Sequence, residues 1–153
     1  MNVVEVFEEV YTKFKLHFYR EVFGRFGDRE ATLTTVETFC MEVIHAMQMP
    51  TVNEFASFIN ISGPNAAYKV NNLVKKGYLE RVQSDKDRRE YYLKPTQRYL
   101  DYYNSSSKYE HEVWDRLEDR LSSEELSALQ RALTIMTNEL MGEVPAYKKS
   151  ANV

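Results

Sequence analysis

The sequence predicts a mainly α-helical fold with a small β-wing, in which a helix-turn-helix and a two-stranded hairpin sit between helical ends. Three observations predict it. Apolar residues recur at helical spacing over most of the 153 residues. Two short helical stretches meet across the few residues around Asn60-Ile61-Ser62, the tight connection of a helix-turn-helix. Two strand-like runs then flank a charged tip, SDKDRREYYLKPT, in which Asp85 to Glu90 are six consecutive charged residues. A hairpin placed directly behind a helix-turn-helix is a wing.

Each element has its own signal. Val3 to Phe26 carries apolar residues at 3, 6, 7, 10, 14 and 18, and Gly24, Gly27 and Asp28 predict its end. A second helix is predicted from about Leu33 to Met47, with Leu33, Val36, Cys40, Val43, Ile44 and Met47 on one stripe and Pro50 closing it. Thr51-Val-Asn-Glu54 has capping-box spacing and opens a short helix ending near Asn60. Ser62 caps the next helix, and Pro64 fits its first turn, where the missing N–H costs little. That helix runs to Lys76 with Gly77 as its C′ residue, and its buried stripe is Ala66, Val70, Leu73 and Val74. Tyr78 to Val82 and Glu90 to Lys94 read as the wing strands. A long helix begins at Thr96, with Pro95-Thr96 as its start. Leu100, Tyr103, Ser107, Glu110, Trp114, Leu117 and Leu121 mark a seven-residue repeat that Ser107 and Glu110 interrupt. Ser122-Ser-Glu-Glu125 repeats the capping box, and Leu126, Leu129, Leu133, Met136 and Leu140 carry a final amphipathic helix.

Bulk properties narrow the function classes. With 43% hydrophobic and 28% charged residues the chain has the composition of a globular protein. No apolar run reaches the length of a membrane helix, and MNVVEVFEEV places glutamates where a signal peptide has basic residues, so a cytoplasmic location is expected. The single cysteine, Cys40, excludes an intrachain disulfide and a Cys-based zinc finger. No glycine-rich phosphate loop, metal-ligand cluster or nucleophile–base set is recognisable, so no catalytic residue and no cofactor is expected. The net charge is −3, but it is unevenly spread. Residues 51–98 hold nine Lys and Arg against five Asp and Glu, a +4 segment within a −7 remainder. Such polarity fits a nucleic-acid-facing middle.

The order of elements, together with Ile61 to Arg81, Asp85-Lys-Asp-Arg-Arg89 and Leu93-Lys-Pro-Thr96, resembles the MarR family of bacterial transcription regulators. The matching pattern is a serine-opened recognition helix, a Leu and Lys-Lys-Gly-like end, a hydrophobic-x-Arg strand and an Asp-x-Arg wing tip. Three positions depart from it. Gly63 stands where relatives carry a polar or basic residue, Lys69 where many carry an apolar one, and Pro95 where an aliphatic residue is common. The resemblance implies one domain over 1–153. Its expected parts are a winged helix-turn-helix DNA-binding lobe at 33–96, a helical dimerisation region at 1–28 and 97–142, and a loose tail at 143–153.

On that resemblance the chain is expected to be a homodimeric regulator, a repressor, of a pseudo-palindromic double-stranded DNA operator. Phosphate contacts supply affinity, and groups at base edges supply sequence choice. The recognition helix offers Ser62, Asn65, Tyr68, Lys69 and Asn72, with Asn suited to adenine and Lys to guanine or phosphate. In the wing, Arg89 is expected in a minor groove with Asp87 holding its side chain, and Lys86 and Arg88 on phosphates. Val3, Val6, Phe7, Val10 and Phe14 at one end, and Leu126, Leu129, Leu133, Met136 and Leu140 at the other, are too apolar for free terminal helices, so they are expected to meet across a two-fold axis. The family's effector classes leave room for a small aromatic ligand, which 11 Tyr and 8 Phe could accommodate as well as they could ordinary packing. Zinc is disfavoured, because the family's zinc-sensing members draw ligands from equivalent helices but with more histidines than His17, His45 and His111. Cys40, on an apolar stripe, reads as an inert hydrophobe. The competing reading is a winged-helix protein-interaction module without specific DNA binding.

Overall fold

The computed structural model describes residues 1–25 and 33–144. In chain order the elements are α1 (Val3–Arg25), α2 (Thr35–Met47), α3 (Val52–Phe58), α4 (Gly63–Lys75), β1 (Leu79–Gln83), β2 (Tyr91–Pro95), α5 (Gln97–Glu118) and α6 (Ser123–Ile135). A π-helical turn, Met136–Leu140, continues α6.

Helix starts follow local chemistry. Asn2 caps α1 by accepting from the Val4 and Glu5 N–H groups at 2.9 and 3.0 Å. Thr34–Glu37, Thr51–Glu54 and Ser122–Glu125 are complete capping boxes for α2, α3 and α6. α4 ends in a Schellman motif. Gly77 has φ +80°, its N–H donates to the Val74 carbonyl, and the Tyr78 N–H donates to the Leu73 carbonyl.

β1 and β2 pair antiparallel, from Leu79 opposite Pro95 to Gln83 opposite Tyr91. The hairpin is sewn to the helices because the Leu93 N–H donates to the Pro50 carbonyl at 2.8 Å and Thr51 bridges Tyr92. One core unites the lobe. Met41 and Ile44 of α2, Phe55 of α3, Val70 and Leu73 of α4, Leu79 of β1, Leu93 of β2 and Tyr99 of α5 are all buried in it.

Several expectations need correction. The buried face of α2 is Thr38, Cys40, Met41 and Ile44. Val36, placed on that stripe, is 55% exposed. The helix starts at Thr35 behind a Thr34 cap, so Leu33 packs as a residue preceding the helix. Val74 is only partly buried at the edge of the α4 stripe. Both strands lie one residue later than expected, and Pro95 ends β2 instead of opening a helix. Thr96 is the N-cap of α5, not its first residue. Proline is tolerated at the end of an edge strand, where its missing N–H need break no ladder bond. The helical turns after Ile135 are π, not α. The stops expected at Gly27 and Asp28, and most of the expected tail, 145–153, lie outside the described residues.

Candidate nucleic-acid interface

The core fixes which face of α4 looks outward. Ala66, Val70 and Leu73 are buried, so the residues between them at helical spacing must point away. Ser62 begins the helix, its Oγ accepting from the Asn65 N–H at 3.3 Å. That bond uses the backbone of Asn65 and leaves its side chain exposed. Tyr68 is 67% exposed, so packing into the lobe does not account for it. Lys69 and Asn72 are half-buried, on the flank of the helix. Lys69 is close enough to α2 for its charge to act on Cys40. The structure thus puts Ser62, Asn65 and Tyr68 on one outward face and brings Lys69 and Asn72 to its margin.

The wing tip is built around two short side chains. Ser84 is buried, and its Oγ accepts from the Lys86 and Asp87 N–H groups at 3.2 and 3.3 Å. The Ser84 N–H donates to the Glu90 carbonyl, and the Glu90 N–H to the Asp87 carbonyl, which closes the tip. Asp87 then turns its carboxylate onto Arg89. Oδ1 accepts from the Arg89 N–H at 3.0 Å and from Nε at 3.1 Å, and Oδ2 accepts from Nη2 at 3.1 Å. The Arg89 side-chain bonds, followed by its backbone N–H, hold the Asp87 carboxyl below its ordinary range. Lys86 and Arg88 stand exposed on the same tip.

Two residues at this surface escaped the sequence reading. Ser84 reads as an ordinary loop residue, although Ser two residues before an N–H is the signal for such a turn. Arg81 on β1 donates from Nη2 to Asn71 Oδ1 and so ties the wing strand to α4. Arg81 and Arg89 also line a cleft of about 220 Å³ with Tyr91 and the start of α3.

The other candidates are dispersed. Burial, ahead of nearby charges, pushes the Cys40 thiol up. His17 stacks on Tyr109 at 3.8 Å between ring centroids, and His111 Nδ1 lies 3.0 Å from the Ser107 carbonyl. His45 faces Tyr103 at 4.3 Å, and burial lowers its pKa. Beside it, the buried Tyr99 donates its hydroxyl to Glu42 Oε1 at 2.9 Å. Among the described residues no group of three or more His, Cys, Asp or Glu gathers as metal ligands would. Nor, among them, is any helix long and apolar enough to cross a membrane.

The terminal apolar residues divide. Val3, Val6, Phe7 and Val10 are exposed, and Phe14 is half-buried with its ring 6.1 Å from Tyr109 of α5. On α6, Leu126, Leu129 and Leu133 are partly covered, as is Met136 beyond it, while Leu140 is 68% exposed. Among the described residues, none on α6 is buried.

The model of the MarR family matches residues 33–91. Among curated proteins none matches the chain by sequence. Solved structures do. The chain is similar to Streptococcus pneumoniae FabT in complex with DNA, at 22% identity, covering 88% of this chain and 94% of that one, with a TM-score of 0.57. It is similar to a mutant MepR from a multidrug-resistant S. aureus clinical isolate, at 18% identity over 92% and 98% of the two chains, with a TM-score of 0.64. S. aureus MepR bound to ethidium bromide is similar at 19% identity over 92% and 97%, with a TM-score of 0.57.

Proposed function

We propose that the chain, whose residues 33–91 match the model of the MarR family, is a DNA-binding transcription regulator without catalytic activity that represses transcription as a homodimer on a pseudo-palindromic operator. The observation that carries the reading is that α4 exposes Asn65 and Tyr68 while the wing exposes Arg89 in the grip of Asp87. Asn65, Tyr68 and Lys69 enter the major groove, with Ser62 and Asn72 at the edges of the contact. Arg89 enters the adjacent minor groove, where negative potential concentrates. Lys86 and Arg88 take phosphates, and Asp87 presents Arg89 without approaching DNA itself. In this reading 33–96 is the DNA lobe, and 1–28 with 97–142 the dimerisation region.

A single helix-turn-helix reads few base pairs, so a second copy is needed for a full operator. The apolar faces of α1 and α6 supply the contact. Val3, Val6, Phe7, Val10 and Phe14 meet Leu126, Leu129, Leu133, Met136 and Leu140 across the two-fold axis. A small aromatic effector, bound between dimer helices and DNA lobe, releases the operator.

The test is binding to a duplex that the protein itself enriches from a random-sequence library, followed across a salt series. Log affinity should fall steeply with log salt, and the enriched duplex should outcompete bulk DNA by at least about 10³-fold. Arg89→Ala should lower affinity and reduce the salt slope by about one. Weak binding without sequence preference would favour the protein-interaction module instead.

A further inference from the structure

The C-terminal end of α4 is gripped by the first turn of α5, and Arg98 supplies the charged part of the grip. Arg98 Nη1 donates to the Lys76 carbonyl at 2.9 Å. Its guanidinium carbon sits 4.5 Å from the centroid of the Tyr78 ring, and Tyr78 is itself buried. Thr96 adds two bonds to the same corner, from Oγ1 to the Gly77 carbonyl at 2.6 Å and from its N–H to the Tyr78 carbonyl at 3.0 Å. On the opposite side, Lys76 Nζ bonds Glu37 Oε2 of α2 at 2.6 Å. Last-turn carbonyls of a helix carry partial negative charge, so a guanidinium there is favourable by charge as well as by hydrogen bonding. The planar group also stacks on an aromatic face, which an ammonium does less well.

We propose that Arg98 is a positioning residue for DNA recognition, holding the C-terminal end of α4 so that its tilt follows α5. The proposal rests on the regulator reading given above. The lever is long enough to matter. At a rise of about 1.5 Å per residue, Asn65 lies roughly 16 Å from Lys76, so a tilt of about 5° moves it by roughly 1.4 Å. Hydrogen bonds to base edges do not survive a displacement of that size. Contacts to phosphates, made by mobile side chains to a diffuse charge, largely do. Arg98 therefore governs discrimination between sequences more than attraction to DNA.

The experiment compares wild type, Arg98→Ala and Arg98→Lys on the enriched duplex and on a random-sequence pool, across a salt series, with the active fraction fixed by stoichiometric titration. Arg98→Ala should weaken binding to the enriched duplex about tenfold while changing pool binding less than about twofold, with the salt slope unaltered. Arg98→Lys should recover part of the loss, since it keeps the charge and one donor but not the stacked plane. Equal weakening on both DNAs with a slope reduced by about one would overturn the proposal in favour of a direct phosphate contact. A reduced active fraction at unchanged affinity would overturn it in favour of a folding role, and an unchanged variant would overturn it outright. If the wild-type chain shows no sequence preference, the regulator reading falls and takes the proposal with it. Preference in wild type that persists in Arg98→Ala removes the proposal alone.

Discussion

At the scale of single residues, Asp87 and Arg89 make a small acid-dependent device. The Asp87 carboxyl is held below its ordinary range by its bonds to Arg89. A lowered carboxylate pKa means that the contact is complete at and above the ordinary carboxylate range and is lost as pH falls through the lowered value. The Arg89 Nε–H resonance should therefore hold steady from neutral pH downward and move only below the usual aspartate midpoint. Movement already at the usual aspartate midpoint would show that the contact does not persist in solution. The pairing was legible in the sequence because carboxylate and guanidinium stand two residues apart in a turn. Cys40 is the opposite case. Its place on an apolar stripe announced burial, and burial raises its thiol pKa. Native protein should react with a thiol reagent at least about tenfold more slowly than protein unfolded in urea, since the thiolate is the reactive form.

At the scale of elements, the starts were more legible than the faces. Thr51 and Ser122 were readable as caps because the serine or threonine and the glutamate three residues on are local partners. Thr51→Ala should cost about 1 kcal/mol in denaturant unfolding. The face of α2 was read in part: Cys40, Val43 and Ile44 pack as expected, but helical periodicity allows neighbouring stripes, and partners from α3, α4 and α5 chose Thr38 and Met41 over Val36. The backbone path of the link before Pro50 was not legible. Gln48 and Met49 both adopt positive φ, 53° and 61°, directly before Pro50. Neither residue type signals a left-handed pair. Because a side chain there costs about 1–2 kcal/mol per residue and glycine avoids that strain, Met49→Gly should stabilise the fold by roughly 0.5–1 kcal/mol after the greater freedom of glycine in the unfolded chain is counted. A destabilised variant would mean that the turn is held by contacts of the Met49 side chain.

At the scale of the whole molecule, the question is what covers the terminal helices. With no buried residue on α6 among those described, and Val3 and Leu140 largely exposed, Leu133→Glu should convert a sedimenting dimer to monomer. Its binding to a palindromic duplex should fall by at least about a hundredfold, because two half-sites no longer engage together. Its helical content should change little. A variant that still sediments as a dimer would place the contact elsewhere. By itself the sequence determined the helical class, the helix-turn-helix followed by a wing, the caps at Thr51, Ser62 and Ser122, and the outward polar face of α4. All of these depend on interactions within a few residues along the chain or on periodicity within one element. Only the tertiary structure decided which stripe of α2 is buried, that Arg81 reaches Asn71, and that Arg98 grips the end of α4. Those contacts join residues whose separation in sequence carries no spacing rule, or single residues whose role is set by the surrounding fold, so only the packed core brings them to their partners.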